Sequence, residues 1–316
     1  MTQIHQARAV VLEKPESIVL SELPLSPVTE TDVVVEIEWS GISSGTEKLL
    51  WNGRMPNFPG MGYPLVPGYE SVGKVSQAGL RSGYLPGQTV FVPGARCFGD
   101  VKGLFGGAAS RLVVPASRVM RVDEKLGNEA VLLALAATAH HVTSGQGNEQ
   151  PDLIVGHGVL GRLIARIAVL AGKNPVVWET NPNRRNGNFD YEVIDPSADK
   201  KRYYKTIVDV SGDASLLDLL ISCLSPSGEI VLAGFYDSAM TFSFPQAFMR
   251  EAKIRIAAQW QPYDLLAVKN LAESGRLSLD GLITHYASPL EADKAYRTAF
   301  SDVNCLKMVL DWRTLQ

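Results

Sequence analysis

The sequence predicts an α/β protein that joins a β-rich segment to a doubly wound parallel sheet. Three observations carry this reading. Short β-branched runs between Gly and Pro turns fill the first segment, and a strand–helix–strand pattern replaces them after Asp123. A glycine-rich phrase, Gly156 to Gly161, then sits where the first strand of the second pattern hands over to a helix. With 316 residues and 46% hydrophobic composition, the chain is too long for one ordinary core and apolar enough to fill two.

From Ala7 to about Val122, runs such as Val33 to Ile37 and Thr89 to Val92 alternate with turns such as Val66-Pro67-Gly68 and Leu85-Pro86-Gly87, which reads as all-β. An apolar helical stretch from Glu129 to His141 follows. Asp152 to Val155, Leu160 to Ala171 and Val176 to Trp178 then give strand, helix and strand, a βαβ unit. Buried strands are expected at Thr206 to Val210 and Glu229 to Ala233, with an amphipathic helix at Leu216 to Leu224 between them, so the sheet should be parallel with right-handed crossovers. Asn181 to Asn188 reads as a polar loop. The last stretch, about Ser278 to Gln316, holds one helix (Glu291 to Phe300) and one strand (Lys307 to Trp312), too little for an independent domain. It is expected to return to the first domain, giving 1–122 with 278–316, and 123–277.

Net charge is -3, with 30 basic and 33 acidic residues interspersed, so nothing in the chain has the electrostatic footprint of a nucleic-acid or anionic-membrane binder. A small-molecule partner is expected. Met1 to Leu12 lacks a basic segment followed by an apolar core, and Ala130 to Ala139 is too short to span a bilayer, which points to a cytoplasmic protein with no membrane span. Cys97, Cys223 and Cys305 are far apart and odd in number, which argues against a disulfide framework and a four-cysteine zinc site.

Gly156-His157-Gly158-Val159-Leu160-Gly161 matches G-x-G-x-x-G between an apolar strand and a helix. The first glycine allows the tight turn, the second lets backbone approach a pyrophosphate, and the third lets helix and strand pack closely. The free N–H groups of the helix start attract the anion. His157 occupies a variable position and is expected to line the turn. Glu179 ends the second strand, roughly 20 residues on, where an acid accepts hydrogen bonds from the adenosine ribose. Arg184 follows and is suited to a 2'-phosphate, but Glu179 would repel that phosphate, so NAD is the expected cofactor. Ser211-Gly212 and Gly234-Phe235 end two later strands and are expected to border the nicotinamide half.

In this order of parts the chain resembles the medium-chain dehydrogenase/reductase superfamily, which implies a GroES-like β domain interrupted by a Rossmann domain. Zinc-dependent members carry G-H-E-x-x-G with a histidine ligand; here the phrase is Gly68-Tyr69-Glu70-Ser71-Val72-Gly73. The stretch that holds the first cysteine ligand reads Ser40 to Glu47 with no cysteine and one extra residue, and Leu132 to His141 offers none either. The lobe of the structural zinc keeps only Cys97. No metal is therefore expected; a site rebuilt from His140, His141 and Glu70 is disfavoured because adjacent helical histidines point apart.

The phrases Ser40 to Lys48, Gly60 to Glu70, Gly103 to Ala109 and Ile154 to Gly158, with Phe248 to Ala252 and Leu279 to His285, are similar to those of the bacteriochlorophyllide dehydrogenases of photosynthetic bacteria. That resemblance implies oxidation of the 3-(1-hydroxyethyl) group of a bacteriochlorophyllide-type macrocycle to 3-acetyl with reduction of NAD. Without zinc, a base or hydrogen-bond relay must take the hydroxyl proton. Thr46 lies near the relay hydroxyl of related enzymes, with Tyr69 or Glu70 as a nearby acid or base. Against this, Thr46 would also serve as a helix cap, Tyr69 as filling and Glu70 as a structural ion pair.

Trp51, Met55, Phe58, Met61, Tyr63 and Tyr69 crowd one Pro/Gly-rich stretch, which suits a flat apolar ring but equally a loop over a core. Lys48 or Arg54 would pair with a propionate of the macrocycle. Two other functions stay open: a zinc-free NADPH quinone or enone reductase, which Glu179 disfavours, and a catalytically silent pigment carrier. Ile254 to Ala258 reads as an edge strand, and the resemblance to the superfamily implies a homodimer joined through it.

Overall fold

The computed structural model describes residues 5–57, 59–144 and 149–315. Phe58 of the aromatic stretch lies outside them, as do Met1 to Ile4 and Gln316. The chain divides into two units, Met1–Ala134 with Asp280–Gln316, and Leu135–Leu279.

The first unit opens with β1 (Gln6–Lys14), β2 (Ser17–Pro24) and β3 (Asp32–Ile42), followed by the short helix α1 (Thr46–Trp51). Then come β4 (Leu65–Val66), β5 (Ser71–Ala78), β6 (Thr89–Val92), β7 (Lys102–Gly103), β8 (Arg111–Pro115) and β9 (Met120–Arg121). β1 carries antiparallel β2 on one side and β4 on the other, with β7 beyond. β3 is the centre of the larger sheet and pairs antiparallel with β5 and β8. Val33, Val34, Val35 and Ile37 on β3 are buried on both faces and meet Val10, Val75, Val90, Leu112 and Val114. Such β-branched packing explains why this segment reads as strand throughout.

The single helix expected from Glu129 is in fact two pieces. A 3-10 segment, Glu124–Leu132, is broken at Gly127 (φ 51°), and the α-helix α2 (Leu133–Thr143) follows. Lys74 on β5 pairs with Glu124 at 2.6 Å, and Ala130 to Leu132 are buried, so this segment packs with the first unit up to Ala134.

The second unit contains β10 (Leu153–Val155), α3 (Val159–Leu170), β11 (Val176–Trp178), α4 (Pro182–Arg185), β12 (Glu192–Ile194) and β13 (Tyr204–Asp209). It continues with α5 (Leu217–Ser222), β14 (Leu224–Leu232), α6 (Phe244–Met249), β15 (Lys253–Ile256) and α7 (Pro262–Glu273). The sheet order is β12-β11-β10-β13-β14-β15, parallel at every pairing. This is the order 3-2-1-4-5-6 of a Rossmann sheet, with the switch point at β10 and β13. α4 supplies one turn inside the stretch read as a loop, with Asn181 capping it through Asn183 N at 3.0 Å.

The chain then re-enters the first unit with β16 (His285–Ala287), α8 (Ala292–Ser301) and β17 (Met308–Asp311). β17 pairs antiparallel with β3, and Trp312 at its end donates from Nε1 to Ser40 Oγ at 2.8 Å. This return places Lys307 and Tyr296 among residues near the start of the chain.

Candidate active site

In the second unit, the glycine phrase forms the turn from β10 into α3. Gly156 has φ +105°, a value open to glycine, and a Cβ on Gly161 would lie 1.9 Å from the Gly156 carbonyl oxygen. Gly158, the N-cap of α3, has nothing within 4 Å of where its Cβ would be, which leaves open space for a phosphate. Val159 and Leu160 already belong to the first turn of α3, with Val159 buried.

His157 is buried, and both ring nitrogens are engaged: Nδ1 with the Arg184 carbonyl at 2.8 Å and Nε2 with the Tyr191 hydroxyl at 2.9 Å. A carbonyl only accepts, so Nδ1 carries the proton and Nε2 accepts from Tyr191. Burial, then the nearby Arg162, lowers the His157 pKa to about 4. The ring therefore ties the glycine turn to the segment after β11. Glu179, at the tip of β11, accepts from His157 N at 3.1 Å and from Asn181 N at 2.8 Å. Its carboxylate thus stands at the turn, and each oxygen retains a lone pair for a further donor.

Ser211 and Gly212 follow β13, and Gly234 and Phe235 follow β14. Asp209 fixes both turns. Its Oδ1 accepts from Ser211 N at 2.9 Å, and its carbonyl accepts from Ala233 N at 2.9 Å and Gly234 N at 3.1 Å. These four positions, the fingerprint and Glu179 all lie at the carboxyl ends of the strands, where open α/β sheets hold their ligands.

In the first unit, Tyr69 donates from its hydroxyl to Ser43 Oγ at 2.6 Å and has the Thr46 side chain as a second partner. Three hydroxyls therefore meet. Burial, then the Glu70 charge, raises the Tyr69 phenol, so it stays protonated. Its ring stacks edge-on against Phe105, with centroids 5.1 Å apart. Thr46 is the first helical residue of α1; Gly45 holds the cap position and no side chain caps it.

Glu70 is fully buried and paired with Lys307 Nζ at 2.7 and 3.0 Å, and the same ammonium reaches the Ile42 carbonyl at 3.2 Å. Burial raises the Glu70 pKa while Lys307 opposes that shift. A Cβ on Gly41 would lie 2.1 Å from Glu70 Oε2, so this glycine makes room for the pair. Glu47, also fully buried, accepts from Ser43 N at 3.0 Å and from the Tyr296 hydroxyl at 2.9 Å. Sequence reasoning singled out Thr46, Tyr69 and Glu70 but missed Ser43, Glu47, Tyr296 and Lys307. Ser43 and Glu47 lie within the phrase Ser40 to Lys48, whereas Tyr296 and Lys307 gave no local signal.

Among the proposed macrocycle contacts, Lys48 and Trp51 lie on one face of α1 against α8. Lys48 Nζ donates to the Phe300 carbonyl at 3.2 Å, and the Trp51 ring lies 5.6 Å from that of Phe300 and beneath Arg297. Met61 and Tyr63 pack on a small core of Leu12, Leu50, Met55 and Leu65, and the Tyr63 hydroxyl donates to the Leu50 carbonyl. Arg54 N donates to Asn52 Oδ1 at 3.0 Å just after α1.

Zinc does not fit this donor set. Tyr69 and Ser43 bond each other and Glu70 is neutralised by Lys307; His140 and His141, expected to point apart, instead both turn Nδ1 to Asp264, at 2.7 and 3.0 Å, because its two oxygens reach both rings. Among the described residues no three His, Cys, Asp or Glu side chains come together as a metal site.

Residues 29–124 match the alcohol dehydrogenase GroES-like domain. A 2-desacetyl-2-hydroxyethyl bacteriochlorophyllide A dehydrogenase of Rhodobacter capsulatus is 56% identical, covering 98% of this chain and 99% of its own. The namesake of Cereibacter sphaeroides is 55% identical over 96% and 98%. The chain belongs to this dehydrogenase family. Its fold is that of the wider alcohol dehydrogenases. An Escherichia coli alcohol dehydrogenase complexed with NADH superposes with a TM-score of 0.82 at 22% identity, covering 97% of this chain and 99% of that one. A Sinorhizobium meliloti dehydrogenase bound to NADP gives 0.80 at 19%, over 97% and 99%. No helix among the described residues is long and apolar enough to cross a membrane.

Proposed function

We propose that this member of the family oxidises the hydroxyethyl side chain of a bacteriochlorophyllide to acetyl, with NAD as hydride acceptor and without a metal. The observation that carries the metal-free part is the hydroxyl cluster of Ser43, Thr46 and Tyr69, in which Tyr69 stands at the histidine position of the G-H-E-x-x-G phrase. Bound NAD would supply a carbon that accepts hydride from the carbinol; the fingerprint glycines and Glu179 would hold it, Glu179 receiving the ribose hydroxyls. A 2'-phosphate at that carboxylate would be repelled, which favours NAD over NADP.

The chain's own residues handle the proton. The alcohol oxygen donates to the hydroxyl cluster, whose members fix its orientation. As the C–H bond gives up its electron pair as hydride, the O–H proton passes along the hydroxyl relay, each hydroxyl taking one proton and releasing another until one is lost to water, and the carbon–oxygen bond becomes a carbonyl. Glu70, neutralised by Lys307, is a structural support for this region rather than the base. The carbonyl product is conjugated with the macrocycle, which lowers the demand on catalysis.

Purified, chelator-treated protein incubated without oxygen with the hydroxyethyl pigment and NAD should give the acetyl pigment and reduced cofactor together. Tyr69→Phe should lower kcat about 100-fold with little change in KM for NAD. Dependence on added zinc would overturn the metal-free reading, and turnover of a quinone with NADPH but not of the pigment would favour a reductase. We further infer a homodimer joined along β15, the edge strand of the six-stranded sheet, where Ile256 is 75% exposed.

A further inference from the structure

We propose that Glu47 is a positioning residue for the proton-handling hydroxyls, holding Ser43 by its backbone N–H and held in turn by Tyr296 of α8. The inference rests on the reading that Ser43, Thr46 and Tyr69 meet the alcohol. Glu47 is fully buried in the first turn of α1, next to Thr46. Its oxygens divide the work: Oε1 accepts from Ser43 N at 3.0 Å, and Oε2 accepts from the Tyr296 hydroxyl at 2.9 Å. Ser43 is also the residue whose Oγ receives the Tyr69 hydroxyl at 2.6 Å. One carboxyl therefore links the C-terminal helix to the position of the hydroxyl pair. A one-ångström drift there is enough to spoil a near-attack geometry.

The charge surroundings give this link a pH dependence. Glu70, Lys307, Tyr296 and Tyr69 face Glu47, and the hydrogen bonds from Ser43 and Tyr296 bring it no cation. Burial, then repulsion by Glu70, outweighs the Ser43 and Tyr296 bonds and Lys307, and pushes the carboxyl up to about 8. Near neutral pH the carboxyl holds its proton on Oε2 and turns it to the Tyr296 oxygen, while Oε1 still accepts from Ser43 N. Above that value it ionises beside Tyr69, and the new negative charge opposes the charge that develops on the alcohol oxygen as its proton leaves. Turnover should then fall on the alkaline side.

The test is the pH profile of kcat for the wild type, E47Q and Y296F, together with the Ser43 amide resonance followed by NMR without substrate. The wild type should lose activity above about pH 8, and its Ser43 amide should shift over the same range. E47Q should keep kcat at pH 7 within about threefold and lose the alkaline fall. Y296F removes a bond that favours the anion, so its fall should move up by about one pH unit. An amide that does not respond in the wild type, an E47Q profile like that of the wild type, or a downward shift in Y296F overturns the proposal. If the amide titrates but the wild type does not oxidise the pigment, the functional reading fails while the link from Glu47 to Ser43 stands.

Discussion

At the scale of single residues, the glycine turn was legible because Gly156 and Gly161 answer local steric demands, one by its φ of +105° and the other by its closeness to backbone. The 1.9 Å approach of a Gly161 Cβ to the Gly156 carbonyl makes Gly161→Ala incompatible with the turn. That variant should lose measurable NAD affinity by calorimetry while the first unit keeps its fold. Glu179 was legible by position, but its two backbone partners, His157 N and Asn181 N, were not, since they depend on how the segment after β11 folds back. Removing the carboxylate in Glu179→Ala should cost about 1.5–3 kcal/mol of cofactor binding, a rise of roughly tenfold or more in KM for NAD. The preference over NADP should shrink at the same time, because the repulsion goes with the charge. An unchanged ratio of kcat/KM for the two cofactors would contradict the role given to Glu179.

At the scale of elements, the candidate site depends on a segment whose importance no local pattern announces. β17 pairs with β3, and only that pairing carries Lys307 to Glu70, 237 positions away in sequence; Tyr296 reaches Glu47 across 249. Sequence reading recognised the returning helix and strand, yet neither residue stood out, because an ion pair formed through long-range strand pairing leaves no periodic trace. Removing one partner of a buried pair leaves a bare charge, so Lys307→Met should destabilise the protein by about 3–5 kcal/mol. The double variant with Glu70→Gln should recover much of that loss, as read by urea unfolding. Glu47 contributes in a different way. Its folded-state pKa, about 8, lies above its ordinary value, so its contribution is complete below about pH 4.5 and is lost as pH rises toward 8. Thermal melts from pH 5 to 9 should therefore decline less steeply in E47Q than in the wild type.

At the scale of the whole molecule, the class of fold followed from a change in pattern after Asp123, because period-2 alternation and helical periodicity are properties of short windows. The unit boundary at Ala134 was less legible. The 3-10 segment Glu124–Leu132 looks helical in sequence, but packs with the β-rich unit through Lys74 and Glu124. The dimer inferred along β15 belongs to this scale: Ile256→Lys should leave a monomer by sedimentation with its NAD affinity intact, and an unchanged mass would remove β15 from the interface. The account as a whole stands on hydride leaving the carbinol carbon of the pigment. The most direct measurement uses hydroxyethyl bacteriochlorophyllide deuterated at that carbon, with chelator-treated protein and NAD, followed by mass spectrometry of the reduced cofactor. The account predicts one deuterium in each NADH formed, matched by acetyl pigment; unlabelled NADH, or acetyl pigment formed without reduction of the cofactor, would contradict it.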